Sequence, residues 1–358
     1  MVLAFHASRQ SAFPGAYVGV EIYFVLSGFL ITALLIDEFA TNGRISFPKF
    51  YARRALRLFP AIVPFLLACL AIYVRVHDEL RAQMARYLFA TVFYCANIFE
   101  AYGHPLYWAH TWSLSAEEQF YLLWPALLVV LLWSRLPPRA VAGVTFAVLV
   151  AAALARVVAW NIGAHQGDSR FGFYSPFTHA DGLLIGCLLG ELYAWNLLPV
   201  AGRLRAAIRL SGLPALGVVI AVLFAVPSDS RFLYEGGFTL ATVACALVVL
   251  GALEEEPQPP FRLLGWRPLR YVGEISYALY IWNPLFLFNY PGSAINPVLG
   301  TALTFAAAAA SFHWIEIPAL RLKRRFAPVP HQADVVVEPA PLPPERRETL
   351  VPPKPVPK

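Results

Sequence analysis

Charge is scarce in this chain, and that scarcity is the first constraint on what it is. Asp, Glu, Lys and Arg make up 14% of the 358 residues, hydrophobic residues 58%, and the mean hydropathy is +0.58. Soluble domains carry about 25% charged residues, so a wholly water-facing surface cannot be built from this composition. Lipid covering most of the surface removes the difficulty. Cysteine is also scarce: Cys69, Cys95, Cys187 and Cys245 lie far apart, mostly in apolar stretches, with no CxxC pair. Neither a disulfide framework nor a zinc site is suggested, and buried small hydrophobes are the expected role. No internal repeat is evident, which weighs against a transporter built from two corresponding halves. No positively charged stretch precedes MVLAFHAS and no small-residue cleavage site follows it, so a signal peptide is not expected there.

What the chain has in abundance is apolar runs. They fall at about 17–39, 56–75, 117–134, 140–160, 182–198, 212–227, 237–253, 275–290 and 296–316. A span needs about 20 predominantly apolar residues, so an all-α integral membrane protein is predicted. MVLAFHAS reads as the second half of a further span, with an upstream first half and a basic residue expected before it. That gives about ten transmembrane helices, the first truncated here. Alternate loops hold seventeen cations, among them Arg44, Lys49, Arg53, Arg54, Arg57, Arg262, Arg267 and Arg270, while the opposite loops hold six. The positive-inside bias puts the richer set, and the C-terminal tail, in the cytoplasm, with the chain in the inner (cytoplasmic) membrane. The cations are scattered over several loops rather than clustered on one face, so no nucleic-acid partner is expected. Residues 1–325 read as one membrane domain; the proline-rich segment 326–358 reads as a disordered tail, with too little apolar surface to offset chain entropy.

Three constellations could carry chemistry. In HTWSLSAEEQFYLLWP (110–125), Ser113, Glu117 and Tyr121 share a helical face, and Glu118 is turned about 100° away. A carboxylate at membrane depth is costly and points to function, although an interfacial cap would use the same residues. His6 is a histidine in an apolar helix; packing is the plainer role, general base the sharper one. In FPKFYARRALRLFP (47–60), Arg53 and Arg57 share a face and Arg54 is adjacent. Topology alone could explain them, but arginine forks also hold phosphate oxygens bidentately.

Several of these segments together carry a resemblance. VLAFHAS, GVEIYFVLSGFLIT (19–32), FYARRALRLFP (50–60), HTWSLSAEEQFYLLWP, DGLLIGCLLG (181–190), VGEISYALYIWNP (272–284) and WIEIPALRL (314–322) occur in one order. From about residue 1 to 325 the sequence resembles the membrane acyltransferase-3 family, whose members O-acylate sugars of lipopolysaccharide, exopolysaccharide, peptidoglycan, lipo-oligosaccharides and some antibiotics. The resemblance implies an acyltransferase of the EC 2.3.1 type moving an acyl group, expected to be acetyl, from acyl-CoA to a saccharide or glycolipid hydroxyl. It implies His6 as base, Glu117 as an acidic residue near it, and Arg53, Arg54 and Arg57 as a cytoplasmic cluster on the acyl-CoA phosphates. Ser113, Glu118, Tyr121 and Asp181 are expected along the substrate path. Ser27 and Gly28 match a tightly packed segment of the second helix, where small residues let helices approach. No bound cofactor and no metal are implied; acyl-CoA is a co-substrate.

Two positions depart from the family pattern. The basic residue usual some ten positions before the histidine has no counterpart, because His6 stands five residues after the first. Asn283 stands where the family usually has a histidine; asparagine donates and accepts hydrogen bonds but cannot take up a proton. Acyl transfer to an alcohol needs a base on the hydroxyl and donors at the developing oxyanion. His6 oriented by Glu117 is the expected base, with Ser113 or Tyr121 lining the acceptor path. The rival from another class is a glycan transporter or flippase using His6 and Glu117 as a proton relay.

Overall fold

The computed structural model describes residues 1–7, 12–75, 78–166, 170–199, 201–254, 257–288 and 296–323, and its regular structure is helical throughout. In chain order the helices are α1 (Val2–Ala7), α2 (Val18–Asn42), α3 (Phe47–Tyr73), α4 (Asp78–Val92), α5 (Ala96–Ala101), α6 (Trp112–Trp133), α7 (Pro138–Gln166) and α8 (Arg170–Tyr174). They continue as α9 (Asp181–Ala194), α10 (Gly202–Ala225), α11 (Phe238–Ala252), α12 (Pro259–Arg262), α13 (Arg267–Glu274), α14 (Ser276–Leu287), α15 (Pro297–Ser311) and α16 (Ile317–Lys323). A π-helical turn over Leu233–Gly237 leads into α11, and another over Phe312–Glu316 joins α15 to α16. The tail expected over 326–358 lies outside the described residues.

Among the described residues, seven helices are long and apolar enough to cross a bilayer: α2, α3, α6, Pro138–Ile162 of α7, α10, Leu233–Ala252 and the composite Pro297–Leu322. Leu34, Leu67, Leu123 and Leu154 lie exposed on their outer surfaces, a distribution that suits lipid and not water. Local signals set several helix ends. Gly43 takes the left-handed conformation (φ 66°) and returns its N–H to the Phe39 carbonyl, closing α2. Asn296 caps α15 by accepting from the Val298 N–H, with Pro297 at the first helical position.

The runs at 182–198 and 275–290 form shorter helices than the seven. Helix α9 has 14 residues and α14 has 12, against the 20 or so that roughly 30 Å of hydrocarbon requires. The physical reason is that hydropathy does not distinguish a segment covered by lipid from one covered by protein. Most of α9, from Asp181 to Glu191, is buried inside the bundle. Its main neighbour is α2, and the two backbones touch: a Cβ at Gly28 would lie 2.1 Å from the Leu183 carbonyl oxygen, and one at Gly186 would lie 2.2 Å from that of Val25. Only glycine permits this approach, which is the tight packing expected around Ser27–Gly28. Helix α2 also meets α6, where Trp124 Nε1 donates to Thr32 Oγ1 at 2.8 Å. Cys69, Cys187 and Cys245 are buried free thiols, and Cys95 is half-buried.

Candidate active site

Glu117 sits on α6 in the bundle interior, 1% exposed. Its Oε1 accepts from Ser27 Oγ of α2 and from Tyr121 Oη one turn along its own helix, each at 2.5 Å. The four-residue spacing read from the sequence thus brings Tyr121 onto Glu117. Ser113 is one turn the other way and bonds Tyr280 Oη at 2.6 Å. Glu117 Oε2 is buried and has no hydrogen-bond partner. Glu118 faces a different neighbour, as its 100° offset requires, and accepts from Arg54 Nη2 at 2.6 Å.

The three arginines separate. Arg54 is drawn inward: it bonds Glu118, lies 3.9 Å from Glu117, and its guanidinium stacks 3.4 Å above the Tyr121 ring. Arg53 bonds Glu38 of α2 at 3.3 Å, leaving a buried Nη1 unpartnered. Arg57 is exposed, makes no ion pair among the described residues, and interacts electrostatically with Tyr23. A guanidinium already balanced by carboxylates has little charge left for phosphate, so Arg54 belongs with the glutamates, and the open cations are Arg57 and Arg53.

His6 and Glu117 are not joined by a hydrogen bond or ion pair among the described residues. His6 instead places Nδ1 2.5 Å from Asn283 Oδ1 of α14, with its ring against Phe288 at 4.7 Å. Asn283 is 1% exposed, and its Nδ2 donates to the Tyr280 carbonyl at 2.5 Å. With the amide nitrogen so engaged, Oδ1 must accept, and His6 must carry its proton on Nδ1. Nε2 is then the lone-pair nitrogen, and no hydrogen bond to it is described. The orienting residue is the asparagine that replaces the family's usual histidine.

Asp181 joins neither group. It is wholly buried, with Arg156 Nη1 at 2.6 and 2.5 Å from its two oxygens and Thr239 Oγ1 donating at 2.9 Å. Next to it, His179 holds Glu21 Oε1 through Nε2 at 2.6 Å and the Phe173 carbonyl through Nδ1 at 2.5 Å. Both oxygens of Asp181 are taken, so its place is in this second polar cluster and not on a path shared with Ser113. Two residues near His6 were not singled out in the sequence, Tyr280 and His110. Tyr280 donates through Oη to the His110 carbonyl, and His110 heads the very segment whose polar density drew notice. No group of three or more His, Cys, Asp or Glu able to hold a metal occurs among the described residues.

Ionisable groups enclosed among membrane-length helices define a polytopic membrane protein with a functional interior. The chain belongs to the acyltransferase-3 family, whose model, described as an acyltransferase domain, matches residues 1–314. It is similar to the peptidoglycan O-acetyltransferase OatA of Listeria monocytogenes, 29% identical over 337 residues that cover 88% of this chain and 53% of that protein. The putative peptidoglycan O-acetyltransferase YrhL of Bacillus subtilis is 29% identical, covering 88% of this chain and 52% of its own length. The O-acetyltransferase OatA of Staphylococcus aureus is 30% identical, covering 88% and 54%. The chain therefore spans about half the length of the curated relatives it matches. No solved structure matches it.

Proposed function

We propose that this chain is a membrane O-acyltransferase that takes an acetyl group from acyl-CoA and passes it toward a hydroxyl of a peptidoglycan-type saccharide. The observation that carries the reading is the His6–Asn283 contact, because it fixes the tautomer that a general base needs. His6 Nε2 takes the proton of the attacking hydroxyl, the oxygen bonds the thioester carbon, and the C–S bond breaks. The leaving thiolate recovers the proton from His6. Arg57 and the free edge of Arg53 meet the donor phosphates at the inner face. Glu117 is a positioning residue: it fixes Tyr121 and, with Glu118, draws Arg54 inward, and its free Oε2 is open to a donor on the substrate.

The same reading places the chain in the inner membrane with the cation-rich loops and the tail in the cytoplasm. It takes 1–325 as the catalytic membrane domain and 326–358 as an appendage. The ten-helix topology then counts α1, α9 and α14, as short crossings, together with the seven longer helices. The acetyl acceptor is inferred from the names of the similar proteins. The test is thiol release from acetyl-CoA by the purified protein in lipid nanodiscs, with and without a soluble peptidoglycan fragment. Acceptor-stimulated release that disappears in His6→Ala is the expected result; release equal in that variant overturns the base assignment, and none from wild type overturns the donor.

A further inference from the structure

His110 is the least satisfied buried side chain near the proposed centre. It is 6% exposed, and neither ring nitrogen has a hydrogen-bond partner. The Ile281 carbonyl lies nearby but outside hydrogen-bonding geometry. Rings enclose the imidazole: Phe65 and Tyr87 at 6.0 Å between centroids, Tyr280 at 5.6 Å and Trp108 at 6.5 Å. A buried imidazole without partners forfeits the hydrogen bonds that water gave it, about 1–3 kcal/mol for each group left unmade. Packing alone would be served better by phenylalanine at this position. A polar group that remains unpartnered in so dry a setting calls for a partner that arrives with the substrate.

The surroundings say what that partner is. His110 and His6 are close enough to interact electrostatically. They are also joined through α14: Tyr280 bonds the His110 backbone by its hydroxyl, and its own carbonyl holds the Asn283 that holds His6. Burial, and then the neighbouring His6, push the His110 imidazole well below the ordinary histidine range, so it is neutral. A neutral imidazole always keeps one N–H, and a neutral donor in a dry aromatic enclosure suits an oxygen that gains negative charge during reaction.

We propose that His110 is a second catalytic residue, an N–H donor to the carbonyl oxygen of the acyl group while His6 Nε2 deprotonates the attacking hydroxyl. The thioester carbonyl enters with its oxygen toward His110. As the hydroxyl oxygen bonds the carbon, the C=O pair moves onto that oxygen and is held by the N–H. When the pair returns, the C–S bond breaks and the thiolate takes the proton from His6. No proton is gained or lost by His110 in the cycle. The two histidines thereby divide the work, one moving a proton and the other holding charge. This rests on the acyltransferase reading above.

The experiment compares wild type, His110→Phe, His110→Gln and His6→Ala in nanodiscs, measuring kcat and KM for acetyl-CoA, the pH profile of kcat, and thermal stability. Glutamine keeps an N–H but cannot serve as a base. His110→Phe is expected to lose about 10²–10³-fold in kcat, with KM little changed and stability equal to or above wild type. His110→Gln is expected to recover at least tenfold of that loss without altering the pH profile. Undiminished turnover in His110→Phe overturns the donor role while leaving the acyltransferase reading intact. So does a glutamine variant as inactive as the phenylalanine one when both remain folded. Absence of thiol release from wild type overturns both.

Discussion

Two buried polar clusters flank α2, and they differ in how completely their polar atoms are paired. Toward α7, α9 and α11, Asp181 has both oxygens bonded and His179 both nitrogens, while Arg156 Nε, Glu21 Oε2, Glu191 Oε2 and Tyr17 Oη have no hydrogen-bond partner among the described residues. Toward α1, α6 and α14, Glu117 leaves one oxygen unpaired, His6 has a described bond at one nitrogen, and His110 at neither. The first arrangement is what holds helices together. The second lowers the stability of the resting protein and makes sense where a ligand completes it. Degree of pairing, and not the mere presence of buried charge, is the ground for proposing the second region as the site.

Substitutions in each cluster should therefore fail in different ways. The largest effect is expected for His6→Ala, which should lower kcat by about 10²–10⁴-fold while the folded protein accumulates and melts as wild type does. If that variant instead loses stability and keeps its turnover per folded molecule, the two clusters have been assigned the wrong way round. Asp181→Ala should show the reverse, losing about 3–5 kcal/mol of stability because it strands a buried guanidinium. The double replacement of Asp181 and Arg156 by leucine should recover much of that, as read by detergent thermal melts. A single variant as stable as wild type would remove the closed cluster from the scaffold.

A smaller effect sharpens the boundary within the arginines. Arg57→Gln should raise KM for acetyl-CoA by roughly 10- to 10²-fold, corresponding to about 1.5–3 kcal/mol for a lost charge-assisted contact, with kcat little changed. Arg54→Gln should reduce kcat instead, because Arg54 is tied to Glu118 and Tyr121. Equal KM effects from both would place Arg54 back among the phosphate ligands. The smallest effect is a pH dependence of stability. Burial alone would lower the His179 pKa, but the Glu21 carboxylate outweighs it and the net shift is upward. A raised histidine pKa gives stabilisation that is complete below about 6.5, the unfolded value, and is lost as pH rises through the folded value. Melting temperature should fall on that alkaline side in wild type and lose this component in His179→Phe; identical pH profiles would show that His179 holds no proton of consequence.

Much of the fold could be read from the sequence because a membrane span is a local property, an apolar run of sufficient length. The helices in the runs at 182–198 and 275–290 are shorter than their apolar signature implies, because burial by protein leaves the same signature as burial by lipid. Individual candidate residues were legible for a similar reason, since a histidine, a glutamate or an arginine among apolar neighbours stands out. Their pairing was not. The residue that orients His6 is 277 positions away, at the site where the family pattern led to histidine and an asparagine reads as a loss. Helical period placed Arg53 and Arg57 on one face and Arg54 on another, but which face turned inward depended on Glu118, on a different helix. His110 was not legible as a candidate, because what marks it is the lack of a hydrogen-bond partner at either ring nitrogen in the folded chain.

The contact between α2 and α9 has a mechanical consequence. Where Gly28 meets Leu183 and Gly186 meets Val25, backbone rests on backbone, so no side chain can swing aside to let one helix slide past the other. Glu21 and Ser27 ride on the same rod, one reaching His179 and the other Glu117. A slip of one residue, about 1.5 Å and 100°, would uncouple both at once. The interlock thus works as a keyed joint that holds Glu21 in register with His179 and Ser27 in register with Glu117, and tolerance to error there is set by the width of a methyl group.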